Sequence, residues 1–299
     1  MKNIRAKIEN PIKKGVILAG GTGSRLRPST AVVNKHLLSV FDKPMIYYPL
    51  TTLILAGCND IAIVCNDDDL TNFKALLGDG RKFGIMLSYF AQDGAEGLTH
   101  ALKSCQAHWS SNEFVAILGD NLFYGASISI TLSSLWSTSQ ACVIGYEVAE
   151  PERFGVIEFD ANNSVISIEE KPDKPKSNII ATGLYKFTKN LDDLIDNVSR
   201  SQRGEFEITD LLNLYIQQQN LDIIKLKRGY TWLDMGTVQD MHSASNFISA
   251  IQTMQGFIIG SPEEAAFRMG KIDKYFLNEM CLGMKSDYYN YLMSLSKHD

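Results

Sequence analysis

The sequence is poor in most features that would give a quick functional answer. Five cysteines in 299 residues (Cys58, Cys65, Cys105, Cys142, Cys281) are odd in number and form no C-x-x-C pair, so they read as reduced, packed thiols rather than a disulfide framework. Five histidines include no H-E-x-x-H and no close pair, which argues against a zinc site. Positive charge is not in surplus: 29 Lys and Arg against 34 Asp and Glu leave −5, and no basic run offers a nucleic-acid surface. The longest apolar stretch, 45–58, contains Pro49 and is too short to span a bilayer. "MKNIRAKIENPIKK" carries charge with no apolar region after it, so no signal peptide is expected. What remains is a cytoplasmic chain without nucleic-acid or membrane partners, long enough to bury a large core.

Strand-like runs at 15–19, 60–65, 85–90 and 114–118 alternate with helical patterns, clearest at 97–109, where Leu98, Ala101, Leu102, Cys105 and Trp109 share a face. Such alternation predicts an α/β fold: a mixed, mostly parallel central sheet flanked by helices, with ligands beyond the carboxyl ends of its strands. From about 141 the pattern turns β-rich, with strands in "ACVIGYEV", "FGVIEFD", "SVISIEE" and "ATGLYKF". Helices are expected at 190–198, 207–218 and 237–254, a strand at 222–226, and three short helices in the last forty residues. The first of these has a capping box at Ser261 and Glu264, with Pro262 in its first turn. The expected organisation is an extension (1–14), a first α/β lobe (15–140), a smaller β-rich lobe (141–255) and a C-terminal helical segment (256–299), all one compact unit.

The chemistry begins where the first strand empties into "GGTGSRLRPST". No Gly-Lys-Ser/Thr follows, so this is not a P-loop. The G-x-G-x-x-G/A spacing of a dinucleotide fold also fails, because Gly21-Thr22-Gly23-Ser24-Arg25 runs on to Leu26. Backbone N–H groups of Gly20, Gly21, Thr22 and Gly23 can still form an anion-binding nest, with Arg25, Arg27 and Lys35 close behind as cations. Alone, the loop serves equally as a glycine turn beside solvated arginines.

Read to its end, "LAGGTGSRLRPSTAVVNKHLLSVFDKPMIYYPL" resembles the signature of the sugar-1-phosphate nucleotidyltransferases. Within that group it is most similar to the glucose-1-phosphate thymidylyltransferases. Further matches follow in order: "LGDNLFYG" at 118–125, "GYEVAEPERFGVIEFD" at 145–160, "EEKPDKPKSN" at 169–178, "RGEFEITD" at 203–210 and "WLDMGT" at 232–237. The resemblance spans residues 14–299. It implies that dTTP and a hexose 1-phosphate, α-D-glucose 1-phosphate first, give a dTDP-sugar and pyrophosphate, with Mg²⁺. Another hexose phosphate, or UTP, is the alternative; a non-catalytic sugar-nucleotide-binding regulator is the alternative of a different class.

The resemblance implies roles residue by residue. Arg25, Lys35 and Asp120 are the catalytic set, with Asp120 and Asp234 as metal ligands, a donor set that suits Mg²⁺. Leu18, Gly20, Gly21, Thr22, Gly23, Gln92, Gly97, Leu98 and Asp120 hold the nucleotide, and a glutamine amide suits a pyrimidine edge. Tyr146, Gly155, Glu170, Lys171, Tyr185 and Arg203 surround the sugar phosphate. Four positions depart from the family pattern: His36 and His100 stand in place of Gln, Ser39 of Pro, and Met235 of Thr. By position, His36 is expected near the deoxyribose and Met235 beside the sugar pocket. A homotetramer is expected through the aromatic- and Met-rich C-terminal segment (Tyr275, Phe276, Leu277, Met280, Tyr288, Tyr289, Tyr291, Leu292, Met293). Similar enzymes also carry a second, regulatory nucleotide site.

Overall fold

The computed structural model describes residues 12–94 and 96–298, so residues 1–11 of the expected N-terminal extension lie outside it. The first apolar run forms β1 (Lys14–Leu18). A two-residue hairpin follows, β2 (Ser39–Val40) and β3 (Lys43–Pro44), then β4 (Asp60–Asn66), β5 (Met86–Gln92) and β6 (Phe114–Leu118). Next come β7 (Asn121–Tyr124), β8 (Ala141–Glu147), β9 (Gly155–Phe159), β10 (Val165–Glu170) and β11 (Ile179–Phe187), and last β12 (Leu221–Lys225) and β13 (Thr231–Asp234).

Nine strands share one sheet, in which β5, β4, β1 and β6 run parallel and β11 pairs antiparallel to β6. Along one edge β11 meets β8, and along the other it meets β9 near Ile180 and β6 from Leu184 to Phe187. The sheet therefore crosses the 140/141 boundary without a break. Parallel strands covered on both faces must be apolar throughout. Accordingly Ile17, Ile61, Ile63 and Ile117 feed one core, while Val16, Ala62, Val64 and Ala116 feed the other.

The apolar stretch 45–58 is a buried helix, Tyr47–Leu55, which accommodates Pro49 in its first turn. The expected helix 97–109 is interrupted at Cys105, giving Leu98–Ser104 and Gln106–Trp109. The cause is local: the Leu102 carbonyl accepts from both Cys105 N (3.2 Å) and the Trp109 indole (3.0 Å), which tightens the turn. Helix 190–198 shortens to Leu191–Ile195. The C-terminal segment forms Pro262–Arg268, Lys274–Cys281 and Asp287–His298. No helix among the described residues is long and apolar enough to cross a membrane.

Candidate active site

At the carboxyl ends of β1, β5 and β6 lies a cleft of about 430 Å³. The glycine loop forms one wall. Gly20 lies flat against Gln92, so closely that a Cβ there would come within 2.3 Å of the Gln92 amide. Gln92 Nε2 donates to Gly94 O (3.2 Å), which leaves Oε1 as the group available to a ligand N–H. Gly21 N donates to Asn66 Oδ1 (3.3 Å), so one of the four expected nest donors is already engaged inside the protein. Gly23 takes the left-handed conformation (φ 57°) and starts a 3₁₀ turn, Ser24–Leu26, that buries Leu26 and leaves Arg25 on the cleft. Arg27, beyond that turn, is exposed and does not line the cleft, so the expected trio of cations reduces to Arg25 and Lys35.

The opposite wall is made by pairing strands more than a hundred residues apart. β7 and β13 form an antiparallel ribbon in which Asn121 faces Asp234, and Met235 N donates to Asp120 O (3.0 Å). This register brings the "LGD" and "WLD" aspartates into one site. Lys35 Nζ lies 2.5 Å from Asp120 Oδ2. Burial pushes the Asp120 carboxyl up, but Lys35 and the Asn121 amide (3.1 Å) outweigh it and hold the group below the usual carboxylate range. Burial, then repulsion from Asp120, pushes Asp234 up to about 7. A buried carboxylate and a half-buried one beside a single lysine are short of positive charge, and a hard divalent cation on their oxygens would supply it. No group of three or more potential ligands exists among the described residues.

Across the cleft Arg203 pairs with Glu207 (3.2 Å) and Glu170 (3.4 Å), and Lys171 lies 3.7 Å from Glu170. Gly155 and Tyr185 line the same end. A Cβ at Gly155 would sit 2.8 Å from Thr209 Cγ2, and burial raises the Tyr185 hydroxyl far enough to keep it protonated. Leu18, Thr22, Gly97 and Leu98 complete the lining among the expected residues. Tyr146 is the exception: its hydroxyl donates to Tyr230 O (3.2 Å), its ring packs on Trp232, and it stays out of the cleft.

Several cleft residues escaped the sequence reading. Asn121 is a hub: its Oδ1 accepts from Trp232 Nε1 (2.7 Å) and Gly183 N (3.0 Å), and its amide donates to Asp120. Its position directly after Asp120 was the available signal. Thr209 lines the cleft with a buried Oγ1 that has no partner among the described residues. Arg153 and Trp232, from two other motifs, also contribute.

The departures from the family pattern sit elsewhere than expected. His36 is 1% exposed, packs beneath Gly119, and pairs through Nδ1 with Asn34 Oδ1 (2.8 Å). Burial, then Lys35, pushes it down to about 3, so it is neutral, and it does not line the cleft. Met235 is fully buried with Val40, Met45 and Leu122 and lies outside the cleft. His100 stacks on Phe206, and Ser39 is exposed on the hairpin.

The profile of the nucleotidyl transferase family matches residues 14–251, a span that contains every cleft residue named above. The chain is 45% identical to the glucose-1-phosphate thymidylyltransferase of Xanthomonas campestris pv. campestris, over 95% of this chain and 97% of that protein. It is 43% identical to the one from Neisseria meningitidis, over 95% and 99%. Among solved structures it is similar to a Bacillus anthracis protein described as a glucose-1-phosphate thymidylyltransferase, in complex with a sucrose (TM-score 0.72, 37% identity, 79% of this chain and 94% of that one). It is also similar to a UDP-glucose pyrophosphorylase complexed with UDP-glucose (TM-score 0.71, 26% identity, 80% and 99%). The chain is a nucleotidyl transferase and belongs to the glucose-1-phosphate thymidylyltransferase family.

Proposed function

We propose that this chain joins dTTP to α-D-glucose 1-phosphate to give dTDP-glucose and pyrophosphate, with Mg²⁺ and in the cytoplasm. The observation that carries the reading is the meeting, in one cleft, of Arg25 and Lys35 with the Asp120 and Asp234 pair. In this reaction a phosphate oxygen of the sugar attacks the α-phosphorus in line. One P–O bond forms, the bond to the β-phosphate bridge breaks, and pyrophosphate leaves with the electron pair. Little covalent work falls to the protein, which positions the reactants and offsets charge. Arg25 and Lys35 serve the triphosphate, and Arg203 and Lys171 hold the sugar phosphate. Glu170 accepts hydrogen bonds from sugar hydroxyls, and one such hydroxyl would give the orphaned Thr209 Oγ1 its partner. Bound by Asp120 and Asp234, Mg²⁺ would supply charge neutralisation at the phosphate oxygens.

Pyrophosphate release across a grid of nucleoside triphosphates and hexose 1-phosphates tests the reading. The highest kcat/KM is expected for dTTP with glucose 1-phosphate, and a higher value for another pair would displace it. Within the grid, Gln92 sets the base preference. Its Oε1 can accept the N3–H of thymine or uracil but meets a lone pair at N3 of cytosine. CTP is therefore expected to fall about a hundredfold or more below dTTP in kcat/KM, consistent with an unpaired buried polar group. Equal use of CTP would remove Gln92 from base reading.

A homotetramer through the C-terminal segment is part of the proposal, on narrower grounds than the sequence suggested. Leu277 and Leu292 are buried, Tyr291 donates to Glu264 Oε2 (2.9 Å) and Tyr288 to Glu263, so much of the aromatic cluster packs on its own chain. Tyr275, Leu282 and Met284 remain exposed at 76%, 70% and 48%, and they supply the patch that a second copy would cover. Light scattering at micromolar concentration should return four times the chain mass; a monomer mass would refute the assembly.

A further inference from the structure

Three aspartates in a row, Asp67–Asp69, form a 3₁₀ turn after β4. Asp67 and Asp68 are exposed, as a solvated acidic turn would be, but Asp69 is not. Its Oδ2 accepts from two side-chain amides, Asn34 Nδ2 (2.7 Å) and Asn66 Nδ2 (2.9 Å). Each amide then holds a different part of the phosphate end of the cleft. Asn66 pairs twice with Gly21, accepting from Gly21 N (3.3 Å) and donating to Gly21 O (3.1 Å). Asn34 caps the turn Lys35–Leu37 by accepting from His36 N (2.9 Å), and its amide also donates to Ala19 O (3.2 Å). One carboxylate oxygen thus fixes the glycine loop and the lysine turn relative to each other, although neither Asp69 nor its two partners lines the cleft.

We propose that Asp69 is a positioning residue for the nucleotide: through Asn66 and Asn34 it locks the Gly20–Gly23 loop and Lys35 into one rigid phosphate-binding unit. This rests on the reading that the loop and Lys35 bind the triphosphate. Two amides with a shared acceptor have their rotamers set together, and removing the acceptor takes one hydrogen bond from each at once. The sugar-phosphate side, built from Glu170, Lys171 and Arg203 on other elements, shares no hydrogen bond or ion pair with this network among the described residues and should not feel the change.

Hydrogen exchange on the substrate-free protein and steady-state kinetics test the proposal together. In Asp69→Ala, the amides of 20–24 and 35–38 should exchange about tenfold faster. The KM for dTTP should rise about tenfold and kcat fall roughly thirtyfold, as for a reacting group displaced by less than an ångström. The KM for glucose 1-phosphate should stay within about twofold, because the lost hydrogen bonds act on one subsite only. Asp69→Asn keeps an oxygen acceptor in the same place and should restore each quantity to within about threefold of the parent. Unchanged exchange in Asp69→Ala would overturn the proposal, as would an Asp69→Asn variant equally impaired. If Asp69→Ala does not fold, Asn66→Ala cuts only the loop end. Faster exchange confined to 20–24 with a raised dTTP KM would then support the network, and parent-like values would overturn it. Because exchange is read without substrate, a parent protein inactive on dTTP would refute the functional reading and leave the exchange result standing.

Discussion

With Asp234 changed to asparagine, kcat is expected to fall about a thousandfold, roughly 4 kcal/mol of barrier, yet the metal-free protein should become more stable. The two effects share one cause. Burial and Asp120 push the Asp234 carboxyl up to about 7. A carboxyl raised in this way costs stability as it ionises: the cost is absent below its ordinary value of 3.8, grows with pH, and is complete once the pH passes about 7. Asparagine removes the charge and with it the repulsion. In a chelator, the variant should therefore melt above the parent at about pH 8, with the gap narrowing towards about pH 5. Added Mg²⁺ should close the gap by stabilising only the parent. Circular-dichroism melts and initial rates check both halves. A variant that melts below the parent at high pH and still turns over would show that Asp234 does not share a cation with Asp120.

Lys35→Ala should also remove catalysis, by about a hundredfold in kcat, but with the opposite sign in stability. Asp120 is 8% exposed and relies on Lys35 at 2.5 Å. Without that partner, a buried carboxylate is left uncompensated. The stabilisation from a carboxyl held below its ordinary range is present above that range and lost as pH falls through it. The deficit of Lys35→Ala should accordingly be full at neutral pH and shrink in acid. Steady-state kinetics should place the loss in kcat, with the KM for glucose 1-phosphate little changed. A parent-like kcat would mean that Lys35 serves Asp120 alone.

What could be read beforehand divides along a physical line. β1, β4 and β6 announce themselves because buried parallel strands are continuous apolar runs between turn residues, a purely local signal. The glycine loop is equally local. The Asp120–Asp234 encounter is not: it depends on β7 pairing with β13, and four-residue strands leave almost no periodicity to read. The motif match supplied both aspartates without supplying the reason they meet. Asn121 was overlooked because its work is done for residues distant in sequence, Gly183 and Trp232. His36, Met235 and Arg27 were misplaced by proximity in sequence. Each is one or two residues from a cleft residue, and a 3₁₀ turn or strand end sends such neighbours to opposite sides. The Cys105 break was invisible for the converse reason, since the helical stripe continues across it while the backbone does not.

The strand β11 binds the chain's history to its shape. By pairing with β6 on one side and β8 on the other, it makes the two halves of the molecule a single woven panel rather than two tiles. A chain emerging from the ribosome holds β6 ready long before β11 is made, and in that interval Phe114–Leu118 has a bare edge able to recruit any passing strand. For the same reason the sheet of the finished protein runs unbroken from one half to the other. To open one half against the other would break the hydrogen bonds between β6 and β11, a cost that movement of the loops above the strands does not carry.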